Sequence, residues 1–480
     1  MAEATAERLA TRAPARDQPP VPAQPAPAGP VAVESLFAEE GGDPLAEAFR
    51  GRRPVHNFSG MHPVEAAEVP VLWARMLGRP RTRPAVGYVH IPFCENHCLF
   101  CGFYQNPWRP ELGAPYVDAV IAQLRAFAAT PAHDGPPLQA VYLGGGTPTA
   151  LAAADIARLI GAIRRHLPLT PDCEITLEGR ITTLPPDKAL AAYDAGVTRI
   201  SLGVQSFKES VRRPQGRRSG TDELMRALAA LVALDRGAVA IDLIYGLPRQ
   251  LPEDVADDVH RAADLGLDGV SLYSLHLIPG TPLLTAIEKG KMEPAPTTGL
   301  GTYLAAGEEA ALAEGWEPIS TNHWRGSLRE RSVYNLAAKV GHDCLPFGAG
   351  AAGLVNGLHF RINADLATYQ ADAGSDRPLT AGMARGSRLA PVLNAVKSGM
   401  ELGRLDPRAV DRAIAALCGP AAAGFTAHAA PLIAQWTRAG LLAPDHRFHR
   451  LTRAGRFWQV AMTGRLIGWL GQHPDLKETT

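Results

Sequence analysis

The amino-acid sequence predicts an α/β fold: a partial (β/α)6, TIM-like barrel over residues 81–365, then a mainly helical, winged-helix-like domain over 366–480. Three observations carry this expectation. From Val86 onward, short runs of β-branched and apolar residues alternate with longer Ala-, Leu- and Arg-rich stretches of helical period. Nearly every run closes on a residue with chemistry to offer. After about residue 365 the alternation stops.

The elements follow in order. Residues 1–35 are rich in Ala and Pro, cannot bury a core, and are expected to be a disordered tail. Residues 36–80 read as an irregular or short-helical extension. Six strand-like runs come next: VGYVHIPF, LQAVYLGGG, CEITLEG, RISLGVQS, VAIDLIYG and GVSLYSLHL. Stretches such as ADIARLIGAIRRHL and ELMRALAALVALDRG lie between them, with helix caps and closing glycines. Repeated β–α units predict a parallel sheet with right-handed crossovers, and six suit an open relative of the eight-fold barrel. The run WEPISTNHW offers a further edge strand. Beyond it, segments such as AVDRAIAALCG and AAPLIAQWTRAGLLAPDHRFHRLTRAGRFW read as helices around a small hairpin.

Composition excludes several function classes. Lys plus Arg and Asp plus Glu number 48 each, so no broad field recruits nucleic acid or an anionic membrane surface. The Arg and His residues of the C-terminal module are diluted among apolar ones, so no nucleic-acid role is expected there. No run of about 18 or more apolar residues would span a bilayer, and the N-terminus lacks the apolar core of a secretory signal. A cytoplasmic setting is expected, because six cysteines in 480 residues are no disulfide scaffold.

Three of those cysteines, Cys94, Cys98 and Cys101, stand together in HIPFCENHCLFCGFYQNP with C-x3-C-x2-C spacing. Zinc normally takes four ligands from paired knuckles. Here the fourth would have to be His97 or His90, and no second C-x2-C follows. An iron–sulfur cube held by three thiolates, with one iron open to a substrate ligand, fits the count better. Zinc and a purely structural role are the alternatives.

Parallel α/β sheets bind ligands beyond the carboxyl ends of their strands. The cysteine loop follows the first run and Gly-Gly-Gly-Thr the second. Glu178, Gln205, Asp242 and His276 close the remaining four, so six strand ends converge on one mouth. Taken singly, each could simply begin a solvated loop.

The cysteine loop, GGGTPT and the order of strand-end residues resemble the radical S-adenosylmethionine (SAM) enzymes. In that family a [4Fe-4S] cluster binds SAM at its open iron, and one electron cleaves the sulfonium to an adenosyl radical. YVHIPFC, GGGTPT, GVQSF and IDLIYGLP are similar to the oxygen-independent coproporphyrinogen dehydrogenase subgroup, from about residue 86 to the C-terminal module. The resemblance implies two SAM molecules: one contacted by Tyr88, Gly145 and Glu178, the other by Phe100, Gly146, Thr147, Gln205, Arg217 and Asp242. The residue types suit these roles. Glycines admit close backbone approach, carboxylates accept from ribose hydroxyls, and Arg217 is suited to clamp a carboxylate.

Two departures redirect the subgroup. Phe103 stands where the dehydrogenase pattern has a further cysteine, and His276 where it has a small residue. CGFYQNP and STNHWRGSLRERSVYN are most similar to the haem-utilisation branch, whose characterised members are anaerobilin synthases. This resemblance implies a radical methyltransferase that opens haem without oxygen and releases iron, fed by a flavodoxin-like electron donor. Haem carries an apolar face, two propionates and an iron. The segment NHWRGSLRER therefore suggests Trp324, Arg325, Arg329 and Arg331 as haem contacts, with His323 or His276 meeting iron or moving a proton. The plainer readings are a solvated arginine face and hydrogen-bonded histidines. A haem chaperone of the same subgroup and coproporphyrinogen oxidation are the alternative functions.

Overall fold

The computed structural model describes residues 32–52, 61–295, 299–380, 382–422, 424–472 and 476. Most of the predicted N-terminal tail lies outside the described residues. Six parallel strands form where the six runs were read: β1 (Ala85–Ile91), β2 (Leu138–Gly145), β3 (Leu169–Gly179), β4 (Arg199–Gln205), β5 (Ala238–Tyr245) and β6 (Gly269–Ser274). Five helices carry the main crossovers: α1 (Gly113–Ala128), α2 (Ala153–His166), α3 (Pro186–Ala195), α4 (Thr221–Val232) and α5 (Pro252–Asp264). Their apolar stripes, such as Ile156, Leu159, Ile160 and Ile163 of α2, pack on the outer face of the sheet. Pro252 opens α5, and Asp254 closes back on Leu251 N at 2.8 Å, satisfying one of the amides a helix start leaves orphaned.

Helix α6 (Leu300–Ala313) then packs against α5 and leads to the hairpin β7 (Glu317–Ser320) and β8 (His323–Arg325). WEPISTNHW is thus an antiparallel hairpin on the sheet edge, with β8 lying along β6. The short helix α7 (Val333–Lys339) crosses under the barrel. Strand β9 (Asp343–Phe347) returns parallel to β1 on its far side. This seventh parallel strand went unread because DCLPF is short and carries a proline. Strands β10 (Ala352–Val355), β11 (Leu358–Arg361) and β12 (Met383–Arg385) extend that edge as an antiparallel meander to Arg385, some 20 residues beyond the boundary expected at residue 365.

The C-terminal region contains α8 (Ala390–Glu401), α9 (Pro407–Cys418), α10 (Ala430–Arg438), the hairpin β13 (Leu442–Asp445) and β14 (Phe448–Leu451), and α11 (Arg453–Leu470). Residues 32–52 pack on these helices and on α6, and Arg52 reaches the barrel, its Nη1 donating to Ser274 Oγ of β6 at 3.2 Å. Gln435 Oε1 accepts from Ala38 N at 2.9 Å, and Trp436 and Trp458 donate their indole N–H groups to Leu36 O and Pro44 O. Among the described residues no helix is long and apolar enough to cross a membrane.

Strand alternation turns one set of side chains into the barrel lumen. Tyr88 and Tyr142 stack there with Tyr334 from α7, at centroid distances of 4.9–6.4 Å. Beside them runs a charged line, Arg199–Glu330–His323, fully withdrawn from solvent.

Candidate active site

The loop after β1 is pinned by a two-residue parallel ladder between Phe93–Cys94 and Asn106–Pro107. Cys94 and Cys98 are 5% and 2% exposed, and Cys101 is half-buried. Each sulfur receives a donor from a different place. Thr147 Oγ1 donates to Cys94 Sγ at 3.4 Å, Arg180 Nη2 to Cys98 Sγ at 3.3 Å, and Phe103 N to Cys101 Sγ at 3.3 Å. Arg180 also grips the loop through Asn96, with Nη1 2.5 Å from Oδ1. Burial pushes the Cys94 and Cys101 thiols up, against the pull of these donors. Three sulfurs on one loop, each supplied with a donor, suit ligation of a cationic metal centre, which would hold them as thiolates.

All six cysteines are free thiols. Among the described residues, no three His, Cys, Asp or Glu side chains converge tightly enough to hold a single ion. A cube that binds each thiolate on a separate iron does not require them to.

The GGGT turn after β2 lies flat against this loop. Gly145 has φ +108°, and a Cβ there would sit 2.5 Å from the His90 ring; one on Gly146 would collide with the Phe93 backbone. The glycines are therefore already filled from behind by His90 and Phe93. What they offer forward is backbone: the Gly145 amide donates to Glu178. Glu178 is half-buried at the end of β3, and desolvation together with Asp242 pushes its carboxyl up to about 8, against the Gly145 amide, Arg217 and Tyr142. Asp242, at the same depth in β5, is raised by burial and receives Ser201 Oγ at 3.5 Å.

Beside the loop opens a cavity of about 250 Å3, walled by Asn96, Arg180, Gly203, Arg212 and Arg217 among others. Gln205 adopts a left-handed φ of +72° at a register shift that ends β4, a strained conformation for a side chain of its size. The Arg217 guanidinium lies 5.9 Å over the Phe100 ring. Several polar atoms here are buried without a protein partner: Arg217 Nε, Arg212 Nε and Nη1, and both amide atoms of Gln215. Such orphans are costly unless a ligand satisfies them. Cationic donors facing a cleft suit a carboxylate-bearing ligand.

Three of these groups escaped the sequence reading. Arg180 stands two residues past Glu178 and obeys the same strand-end rule. Arg212 and Gln215 lie in VRRPQGRR, where only Arg217 was singled out.

The haem contacts expected from NHWRGSLRER are not brought to this mouth. Strand β8 runs antiparallel to β6, so it carries its residues away from the carboxyl ends. Trp324 is fully buried. Arg325 pairs with Glu317 at 2.7 Å, Arg329 with Asp235 and Arg331 with Asp172, all toward the amino-terminal ends of the strands. Both ring nitrogens of His323 are engaged, Nδ1 with Ser271 Oγ at 2.7 Å and Nε2 with Glu330 Oε1 at 2.9 Å, which leaves none for iron. His276 alone of this set follows a strand's carboxyl end. Burial, and then Arg52, hold its imidazole below the usual range.

A parallel barrel whose first strand empties into a three-thiol loop, with glycine, acid and arginine at the neighbouring strand ends, defines the radical SAM class. The Radical SAM superfamily model matches residues 88–262. A curated relative, "Anaerobilin synthase" of Escherichia coli O157:H7, is 39% identical over 428 residues, covering 88% of this chain and 92% of that protein. "Heme chaperone HemW" of Synechocystis sp. is 28% identical over 295 residues, covering 58% of this chain and 68% of that one. Among solved structures, coproporphyrinogen III oxidase (HemN) from Escherichia coli superposes with TM-score 0.69 at 23% identity, covering 87% of this chain and 96% of that one, a likeness of fold. The chain belongs to the radical SAM superfamily, in the family of anaerobilin synthase.

Proposed function

We propose that this protein is a radical SAM C-methyltransferase that opens haem anaerobically to a linear tetrapyrrole and releases its iron. The observation that carries this reading is the 39% identity to anaerobilin synthase across nearly the whole of both chains. Cys94, Cys98 and Cys101 would hold the [4Fe-4S] cluster. Tyr88, Gly145 and Glu178 would meet a first SAM; Phe100, Gly146, Thr147, Gln205, Arg217 and Asp242 would meet a second. When bound, cluster and SAM supply one-electron cleavage of a sulfonium and the hydrogen abstraction that follows.

The chain's own groups do the rest. Arg180 offsets negative charge at Cys98 while clamping the loop through Asn96. Arg217, Arg212 and Gln215 have unspent donors for carboxylate and ribose oxygens. Glu178, protonated near neutral pH, is able to donate to a ligand oxygen as well as accept. His276 lies at the mouth, where a tetrapyrrole would arrive. The electron would come from a flavodoxin-like donor.

Anaerobic incubation of the reconstituted protein with haem, SAM and reductant tests the reading. It requires S-adenosylhomocysteine, free iron and loss of the Soret band. Haem handed intact to an acceptor, without SAM consumption, would replace it with a chaperone role.

A further inference from the structure

With NHWRGSLRER carried to the far end of the barrel, a tetrapyrrole at the mouth needs another surface for its macrocycle and another cation for its propionates. Two loops at the mouth offer the surface. The cysteine loop continues into Phe103, whose side chain is 72% exposed although its backbone N–H is tied to Cys101 Sγ. The segment after β6 carries Leu277, 41% exposed, next to His276. These loops are clasped together. Gly102 lies so close to Ile278 that a Cβ there would come within 3.0 Å of the isoleucine side chain, and Leu283 N donates to Leu99 O at 2.9 Å. Thr281 Oγ1 closes the intervening turn by donating to Ile278 O at 2.8 Å. Phe103 and Leu277 thus stand on one braced rim. A single exposed apolar side chain is ordinary, whereas two on a braced rim beside a reaction mouth form a seat for a flat apolar ligand.

Arg52 brings the cation. Its guanidinium lies 4.2 Å over the Phe457 ring of α11, and Nη1 donates at 3.2 Å to Ser274 Oγ, the last residue of β6. Ring and hydroxyl hold it at the strand end that leads to His276, and its charge acts on that imidazole. The Nε of Arg52 is buried and, among the described residues, has no partner. An arginine fixed against an aromatic face, with an N–H to spare, suits a carboxylate.

We propose that Phe103 and Leu277 carry one face of haem at the mouth and that Arg52 holds a propionate. The proposal rests on the haem-opening reading, which supplies the ligand. None of the three residues belongs to the SAM contacts given above. A propionate fixed at Arg52 sets which edge of the macrocycle turns toward the cysteine loop, so the rim selects orientation as well as affinity.

Anaerobic titration of the cluster-loaded protein with haem, with SAM present and reductant withheld, reads binding apart from turnover. Phe103→Ala should weaken haem binding about tenfold, and Phe103→Trp, which keeps a ring there, should bind as the wild type does. Because the Phe103 side chain is exposed, truncating it leaves the fold intact. Arg52→Gln should also weaken haem about tenfold, yet leave the affinity for haem dimethyl ester, which has no propionate charge, unchanged. Leu328→Ala removes an apolar side chain that is 80% exposed at the far end of the barrel, and should change nothing. Wild-type haem affinity in Phe103→Ala or in Arg52→Gln overturns the rim and leaves the haem-opening reading standing. So does an Arg52→Gln loss equal for haem and its ester, or an equal loss in Leu328→Ala. If the wild type takes up no haem at all, both fall together.

Discussion

Glu330→Ala tests whether NHWRGSLRER is a plug inside the barrel rather than a substrate face. Glu330 is fully buried and Arg199 is 2% exposed, with Arg199 Nε about equidistant from both carboxylate oxygens at 2.9 and 3.0 Å. At that separation a Coulomb attraction of about 5 kcal/mol is expected for an effective dielectric near 20. Burial would raise the Glu330 carboxyl, but Arg199 and His323 hold it down to about 2. Truncation leaves the guanidinium without its partner, which typically costs about 3–5 kcal/mol. Glu174 and Asp242 lie close enough to compensate partly, so the lower half of that range is expected.

Urea unfolding of the cluster-loaded protein reads the loss. The double variant Arg199→Met/Glu330→Leu should recover most of it, because neither charge is then stranded. The folded carboxyl lies below its unfolded value. Its contribution is therefore fully present above about pH 4.5 and fades as pH falls toward 2. By contrast, Arg325→Ala, Arg329→Ala and Arg331→Ala break exposed pairs and should each cost no more than about 1 kcal/mol, with haem affinity unchanged. A Glu330→Ala variant within about 1 kcal/mol of wild type, or a double variant no better than the single, would refute the plug. So would loss of haem affinity in the arginine variants.

Three further outcomes follow from the mouth. Gly146→Ala should abolish iron incorporation while the barrel still folds, because its methyl meets the Phe93 backbone; iron content and far-ultraviolet dichroism check the two halves. Arg180→Gln should weaken cluster retention by about 1.5–3 kcal/mol, the worth of a hydrogen bond to a charged group, read as iron lost per protein under chelator challenge. Glu178 has a folded proton affinity above its unfolded one, so stability should fall as pH rises from about 4.5 to about 8. Glu178→Gln should flatten that slope in unfolding measured across the range.

How far the sequence was legible depended on the type of signal. The six strands were readable because β-branched runs alternate with helical stretches over a long, regular span. Strand β9 was not, since five residues with a proline carry little periodicity, and only pairing with β1 makes DCLPF a strand. The cysteine loop was readable from spacing within eight residues. Arg180 was not, because its partners Asn96 and Cys98 lie more than eighty residues upstream and no local pattern links them. NHWRGSLRER misled for a related reason. Composition marks an arginine run but not which end of a barrel it occupies, and the antiparallel course of β8 carries it to the far end.

By itself the sequence determined the chemistry on offer: three thiols in one loop, a glycine turn, acids at strand ends, and a parallel barrel to gather them. These are local properties, set by spacing and by the period of apolar residues. Only the tertiary structure decided which groups face one another. It buried Glu330 against Arg199, drew Arg180 onto a cysteine, filled the glycine turn with His90 and left Arg217 partly unpaired beside a cleft. Desolvation and pairing arise from long-range packing, and no window of the chain contains both partners.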